Sequence, residues 1–394
     1  MKEEKVCSIC GEKQMSIVFA SSSEVSITSL AVLVPGKTIV SVCSHCSHVE
    51  TASLFDLDQY YDSEYKIGAL DADDDDLYTI NEGRMVFRSE HMARIFLKKM
   101  GNVGIRSLLD YGCGKSLTSK CLMDANPNLD VFLFDVSRDY VEFWKNYRSE
   151  DKYGFFTPPP HWAASFDCVT SFFSLEHVPF PLDSLTQIRS LLKNGGLLYA
   201  IVPNIYSVNR ADLLVVDHLH HYSLSSMRYA LSSCGFELID VDNDSHQQAS
   251  IYIAKAIDKI PEFSDIQIDN IEVNNGIFGI QALANYWKGV EERLRYFEEQ
   301  VITSGAQRVF IYGAGIVGLY LYSKFYNKII IAGFIDSNMH KQKKLYCGLS
   351  VYSPSSVSLL SSDFLLVGLN PGVGQSVISS MRDFDVIGKN IFFC

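Results

Sequence analysis

The chain has 394 residues, 47% of them apolar, and carries 34 Lys and Arg against 46 Asp and Glu, a formal net charge of −12. That length asks for two or three cores rather than one, and the acidic balance repels a nucleic-acid backbone, which makes nucleic acid a poor partner. No run of eighteen apolar residues appears, and the opening Met1-Lys2-Glu3-Glu4-Lys5 lacks the apolar stretch of a secretory leader; the expectation is a soluble, cytoplasmic protein with no membrane partner.

Two C-x-x-C pairs, Cys7-Ser8-Ile9-Cys10 and Cys43-Ser44-His45-Cys46, stand at the start. Each places two thiolates on one tight turn, and two such turns complete a tetrahedral sulfur site for zinc. Four thiolates close the coordination sphere, so the expected metal is structural, with Cys7, Cys10, Cys43 and Cys46 as its ligands. His45 and His48 then have no vacancy to fill and read as solvated or as neighbours of the ligands. The other six of the ten cysteines are scattered singly and read as reduced thiols. Beyond the knuckles come Tyr60, Tyr61 and Tyr65, then the run Asp73 to Asp76. The aspartates read as a solvated loop, because consecutive acids repel. The tyrosines read as packing or as phenols that orient a substrate hydroxyl. From Ile80 to Met100 the apolar residues Met85, Phe87, Met92, Ile95 and Phe96 recur at roughly helical spacing and predict a helix.

The centre of the chain carries the motifs. Ser107-Leu108-Leu109-Asp110-Tyr111-Gly112-Cys113-Gly114-Lys115 is an apolar run that stops at an acid and two glycines one residue apart. It predicts a buried parallel strand feeding a tight turn into a helix, with backbone that a ligand can approach. Asp130 to Asp135 is a second apolar strand ending in an acid, and Asp135 is placed to accept hydrogen bonds from both hydroxyls of a ribose. Phe166 to Ser171 is the next central strand, running to Leu175-Glu176-His177-Val178. Ser190 to Gly196 closes a helix on C-cap glycines, and Leu197 to Val202 returns as a strand. The order D-x-G-x-G, F-D-x-V, L-E-H-V and L-L-K-x-G-G-x-L resembles the class I methyltransferases. That resemblance implies an α/β Rossmann-like domain that binds S-adenosylmethionine through Asp110, Gly112, Cys113, Gly114, Asp135, Glu176 and His177.

Val216-Asp217-His218-Leu219-His220-His221-Tyr222-Ser223 follows. Three histidines in four positions suggest metal or proton chemistry, and proton chemistry is favoured because an adjacent carboxylate can orient an imidazole that titrates near neutral pH. After a helix over Ile277 to Val301, Arg308-Val309-Phe310-Ile311-Tyr312 leads into Gly313-Ala314-Gly315-Ile316-Val317-Gly318. This is a full G-x-G-x-x-G between strand and helix, with Asp336 about 20 residues on. Taken alone it supports a dinucleotide-dependent dehydrogenase; against that, no catalytic constellation follows it.

The whole order is similar to that of the nucleotide-sugar C-methyltransferases of the deoxysugar pathways. The resemblance implies a zinc ribbon over 1–70, a methyltransferase domain over 71–255 and a second Rossmann-like domain over 256–394 that helps hold the sugar nucleotide, a small-molecule partner. It implies His218 as the base of a carbon methylation, from a family segment that reads approximately Glu-His-x-x-Tyr-Phe-Ser. Here Asp217 replaces the glutamate, His221 the tyrosine and Tyr222 the phenylalanine. A further family tyrosine maps onto Tyr65 or a neighbour. The alternatives are an O- or N-methyltransferase acting on another small molecule and a non-catalytic nucleotide-binding scaffold.

Overall fold

The computed structural model describes residues 5–54, 75, 77–81, 83–207, 210–262, 265–306, 308–380 and 390–394. Tyr60, Tyr61, Tyr65, Asp73, Asp74 and Asp76 lie outside the described residues. The chain forms two compact units: Met1–Ser16, Cys43–Asn204 and Leu219–Ile277 make the first, and Ile17–Val42, Ile205–His218 and Phe278–Cys394 make the second. The first 70 residues are therefore divided between them. No described helix is long and apolar enough to cross a membrane.

In the first unit, β1 (Val49–Thr51) follows the second cysteine pair, β2 (Leu77–Asn81) and β3 (Arg84–Phe87) form a hairpin, and α1 (Arg88–Met100) follows at once. Then come β4 (Ser107–Tyr111), α2 (Leu117–Ala125), β5 (Asp130–Asp135), β6 (Tyr153–Phe155), β7 (Phe166–Phe172), α3 (Pro181–Leu191), β8 (Leu192–Pro203), β9 (His220–His221), α4 (Leu224–Ser233), β10 (Phe236–Asp242) and β11 (Ala249–Ala256). Seven of these strands form one sheet in the order β6-β5-β4-β7-β8-β11-β10. The pairs from β6 to β8 are parallel, and β8–β11 and β11–β10 are antiparallel. Leu108 and Leu109 pack into separate buried clusters, because successive side chains of a strand point to opposite faces. A sheet covered on both sides needs apolar residues on both, which is why these strands read as near-continuous apolar runs. The chain runs from β4 outward to β5 and β6, then returns to β7 on the other side of β4. That reversal puts the topological switch point at the C-terminal ends of β4 and β7, where open α/β sheets take their ligands.

Two local expectations change. The helix predicted from Ile80 starts at Arg88, because Met85 and Phe87 belong to a strand that turns them outward and buries Val86 between them; spacing of two was read as helical. The glycines Gly195 and Gly196 do not cap a helix. α3 ends at Leu191, and β8 begins at Leu192, which pairs with Phe166 across an irregularity in register.

A 35-residue helix, α5 (Asn270–Ser304), leads from the first unit into the second. There β12 (Val309–Tyr312), α6 (Ile316–Phe325), β13 (Ile331–Ile335), β14 (Leu345–Tyr346), β15 (Leu349–Tyr352), β16 (Phe364–Val367) and β17 (Ile391–Phe393) build a six-stranded sheet in the order β14-β15-β13-β12-β16-β17. All neighbours except β14–β15 are parallel. The early hairpin Val25–Ile27 with Leu33–Pro35 belongs to this unit, and the loop before it is fastened by a partly buried ion pair. Lys324 Nζ lies 2.6 Å from Glu291 Oε1, which also accepts from the Tyr320 hydroxyl at 2.9 Å and the Ser22 N–H at 3.1 Å, while Lys324 donates to Ser21 Oγ at 2.9 Å. Removing one member of such a pair leaves the other charge buried. Lys324→Met is therefore expected to destabilise the protein by about 3 kcal/mol, read as a lower urea midpoint with methyl-donor binding unchanged.

Candidate functional site

The glycine turn after β4 is braced from three sides. Gly112 sits at φ +73, and a Cβ there would meet Ser174 Oγ at 2.0 Å, so the end of β7 closes on this turn only because no side chain intervenes. The N–H groups of Gly112 and Cys113 both donate to Phe134 O, at 2.8 and 3.0 Å, and Gly114 N–H donates to Asp135 Oδ2 at 2.8 Å. The turn thus directs these donors at β5. Trp144, fully buried, donates its indole N–H to Gly114 O at 2.8 Å and supports the turn from below. The next helix starts from Ser116, itself at φ +55.

Asp110 and Asp135 hold different positions. Asp110 accepts from Ser119 Oγ at 2.7 Å and Thr170 Oγ1 at 3.2 Å, tying β4 to α2 and β7. Asp135 accepts from Gly114 N–H and, through Oδ1, from Ser137 N–H at 3.0 Å. The Val136 N–H is a further backbone donor to Asp135. Burial pushes Asp110 up to about 7 and Asp135 up to about 6, and the hydrogen bonds to both oppose the shift. Burial also pushes the Cys113 thiol well up, which keeps it protonated and inert. Trp144, Ser119, Thr170 and Ser174 carried no signal of their own in the sequence; only a serine or threonine expected one turn or one strand away from a buried acid could have found two of them.

The segment after β7 continues this wall. Glu176 is buried, His177 nearly so, and the two approach at 3.9 Å between Glu176 Oε1 and His177 Nε2. The loop that carries the histidines is attached here: His220 N–H donates to Glu176 O at 3.0 Å, and the Tyr222 hydroxyl donates to Leu175 O at 3.0 Å. Tyr222 is buried in the apolar cluster, and burial pushes its phenol well up, so its hydroxyl serves as an anchor. Asp217 belongs to the second unit, where it accepts from Ser29 N–H and Ser29 Oγ, both at 2.7 Å. His218 is buried and directly precedes the attached loop. Tyr65 lies outside the described residues.

The cysteines converge as the spacing predicts. Cys7, Cys10, Cys43 and Cys46 offer sulfur atoms within 4.8 Å of one another. Cys7 and Cys46 approach at 3.7 Å and Cys10 and Cys43 at 3.5 Å, with no disulfide formed. A tetrahedral zinc site with Zn–S of about 2.3 Å has S–S edges of about 3.8 Å, so the donor set fits zinc. His48 is not solvated: it is fully buried, and its Nε2 lies 3.0 Å from His220 Nδ1. Burial holds His48, His220 and His221 down to about 3, 4 and 3, so all three are neutral imidazoles at neutral pH.

Two outcomes follow from this geometry. The protein is expected to hold one zinc per chain by metal analysis, and Cys43→Ser to lose it. For Asp110, the folded pKa is raised above the unfolded value of 3.8, so its contribution is present at low pH and is lost as pH rises toward about 7. In ligand-free protein the Asp110→Asn variant should therefore gain stability relative to the parent as pH rises from about 4 to 7, measured as the difference in urea midpoint.

Residues 86–241 match the model of a family described as a methyltransferase domain. None of the curated proteins matches the chain. Similar solved structures include the CurJ carbon methyltransferase, at 17% identity and TM-score 0.34 over 43% of this chain and 54% of that one. An S-adenosylmethionine dependent methyltransferase from Mesorhizobium loti is similar at 16% identity and TM-score 0.33 over 42% of this chain and 95% of that one. The 1,6-didemethyltoxoflavin-N1-methyltransferase of Burkholderia thailandensis, bound to 1,6-didemethyltoxoflavin and S-adenosylhomocysteine, is similar at 15% identity and TM-score 0.33 over 43% of this chain and 79% of that one. The motif order, the sheet topology and the match to the methyltransferase-domain model fall on one segment, residues 86–241.

Proposed function

We propose that the protein methylates a carbon of a nucleotide-activated keto-deoxysugar, with His218 as the base that makes that carbon nucleophilic. The observation that supports this most is the attachment of the loop Leu219–Ser223 to Leu175 and Glu176, the segment directly after Ser174, which itself packs on Gly112. His218 directly precedes this loop in the chain.

S-adenosylmethionine, when bound, supplies an electrophilic methyl on a sulfonium. Asp135 would hold the ribose of the methyl donor, and Glu176 and His177 would line the site beside it. His218 removes the proton α to the sugar ketone; the C–H electron pair passes into the enolate, and the proton stays on the imidazolium until solvent takes it. The enolate carbon then forms the new C–C bond as the methyl–sulfur bond breaks, its electron pair remaining on sulfur. The chain's contribution to that step is in-line positioning and the exclusion of water. Asp217 holds its stretch of chain to Ser29 and orients the neighbouring imidazole from there, and Tyr65 is the phenol assigned to the sugar. The four cysteines hold a structural zinc.

His218→Ala is expected to bind S-adenosylmethionine within about threefold of the parent while losing turnover by at least about 10²-fold. Incubating the protein with a panel of nucleotide-linked 4-keto sugars in deuterated water, without the methyl donor, should exchange the α proton of the true acceptor, and His218→Ala should abolish that exchange. Methyl transfer with no exchange would instead assign the methyl to oxygen or nitrogen.

A further inference from the structure

The segment that follows the second cysteine pair and the histidine loop are joined by several hydrogen bonds. Immediately after Cys46, Ser47 Oγ lies 2.7 Å from Ser223 Oγ. His48 Nε2 lies 3.0 Å from His220 Nδ1. β1 pairs antiparallel with β9, with Val49 opposite His221 and Glu50 opposite His220. Thr51 Oγ1 lies 2.9 Å from His221 Nε2, and Thr51 N–H donates to Leu219 O at 3.0 Å. The first pair reaches the same strand: Ser8, between Cys7 and Cys10, donates both its N–H and its hydroxyl to Glu50 Oε1 at 2.8 Å, and Lys5 Nζ closes on Glu50 Oε2 at 3.0 Å. α5 lies over the join. A Cβ at Gly276 would meet Ser47 Oγ at 2.7 Å and Ser223 Cβ at 3.3 Å, so a glycine is needed where the helix crosses it.

These contacts are polar and buried, and they link segments more than 160 residues apart through two short strands, one of three residues and one of two. A two-residue strand has little stability of its own. β1 follows the second knuckle, whose Cys43 N–H donates to His48 O at 2.8 Å, and Ser8 of the first knuckle holds its Glu50; what holds the knuckles together is the metal for which the four sulfur atoms are arranged.

We propose that the zinc centre sets the position of the candidate base: Glu50, Ser47, His48 and Thr51 are positioning residues through which the metal-bound knuckles fix Leu219–Ser223, and with it the adjoining His218. This inference rests on the reading of His218 as base for its catalytic consequence, but its structural content stands apart from it. The metal is then more than a fold staple. It holds the loop on the acceptor side while leaving the glycine turn, braced by Asp110, Trp144 and Ser174, to bind the methyl donor independently.

The test uses the full chain, with zinc removed by a chelator and then restored, and follows amide hydrogen exchange with methyl-donor affinity by calorimetry. Metal-free protein should exchange the amides of Leu219–Ser223 at least tenfold faster, bind S-adenosylmethionine within threefold, and recover on zinc addition. Unchanged exchange in the loop after zinc has left would overturn the proposal. Where the metal-free protein unfolds throughout, shown by fast exchange in β4 and β7 as well, the zinc-loaded Thr51→Val, Ser47→Ala double variant decides. It should keep one zinc per chain and its donor affinity, exchange the loop faster, and lose kcat at least tenfold with little change in donor KM. Thr51→Ser in its place should restore both. A double variant with parental loop exchange would overturn the proposal. The exchange measurement needs no acceptor, so failure to methylate any sugar counts against the proposed function and leaves this coupling standing.

Discussion

A carboxylate buried at the end of a central strand must be supplied with hydrogen bonds from its own surroundings, and Asp110 is where this chain meets that demand. Ser119 from the following helix and Thr170 from the neighbouring strand both donate to it, so three elements are fixed to one another at a single group. The glycine turn can then be tight, because its ends do not move. Ser174 can close on Gly112, Trp144 can support Gly114, and Asp135 can take a turn N–H. Burial shifts both acids upward, and the hydrogen bonds that position the turn oppose that shift.

The second unit repeats the arrangement. Ala314 N–H donates to Asp336 Oδ2 at 2.8 Å, and Asn338 N–H donates to Asp336 Oδ1 at 2.9 Å. These are the counterparts of the Gly114 and Ser137 bonds to Asp135. One difference is local: Lys341 donates to Ala314 O at 2.8 Å, whereas the carbonyl of Gly114 is taken by an indole. In both units the acid at the end of the second strand is first a partner of the turn. An acid about 20 residues after a glycine motif is therefore no direct sign of a ribose; it is already required by the turn.

Much of this was legible in the residues. Parallel strands buried on both faces announce themselves as apolar runs ending in acids and glycines, so β4, β5, β7, β12 and β16 and the convergence of four cysteines could be read before any coordinates. What was not legible had a physical reason in each case. Met85 and Phe87 face outward from a strand, and an apolar residue on an exposed face carries no information about period. Leu192 joins a sheet because Phe166 lies beside it, a fact of register that no local pattern contains. His48 looked like a residue left over from the metal site because its partner, His220, stands far along the chain. The bond from the Tyr222 hydroxyl to Leu175 is a property of the assembled core that the motif does not contain.

The distance between those partners also bears on how the protein is made. The knuckle residue His48 precedes His220 by 172 residues. At roughly 5 to 20 residues per second, about 9 to 34 s of synthesis separate the emergence of the cysteines from that of the strand they hold. During that interval both cysteine pairs are outside the ribosome with no β9 to pair with, their thiols open to any metal or oxidant present. Early capture of zinc would keep them from wrong partners and deliver a finished clasp to the loop when it arrives. A nascent chain that missed the metal would finish synthesis with its methyl-donor turn intact and its histidine loop unplaced.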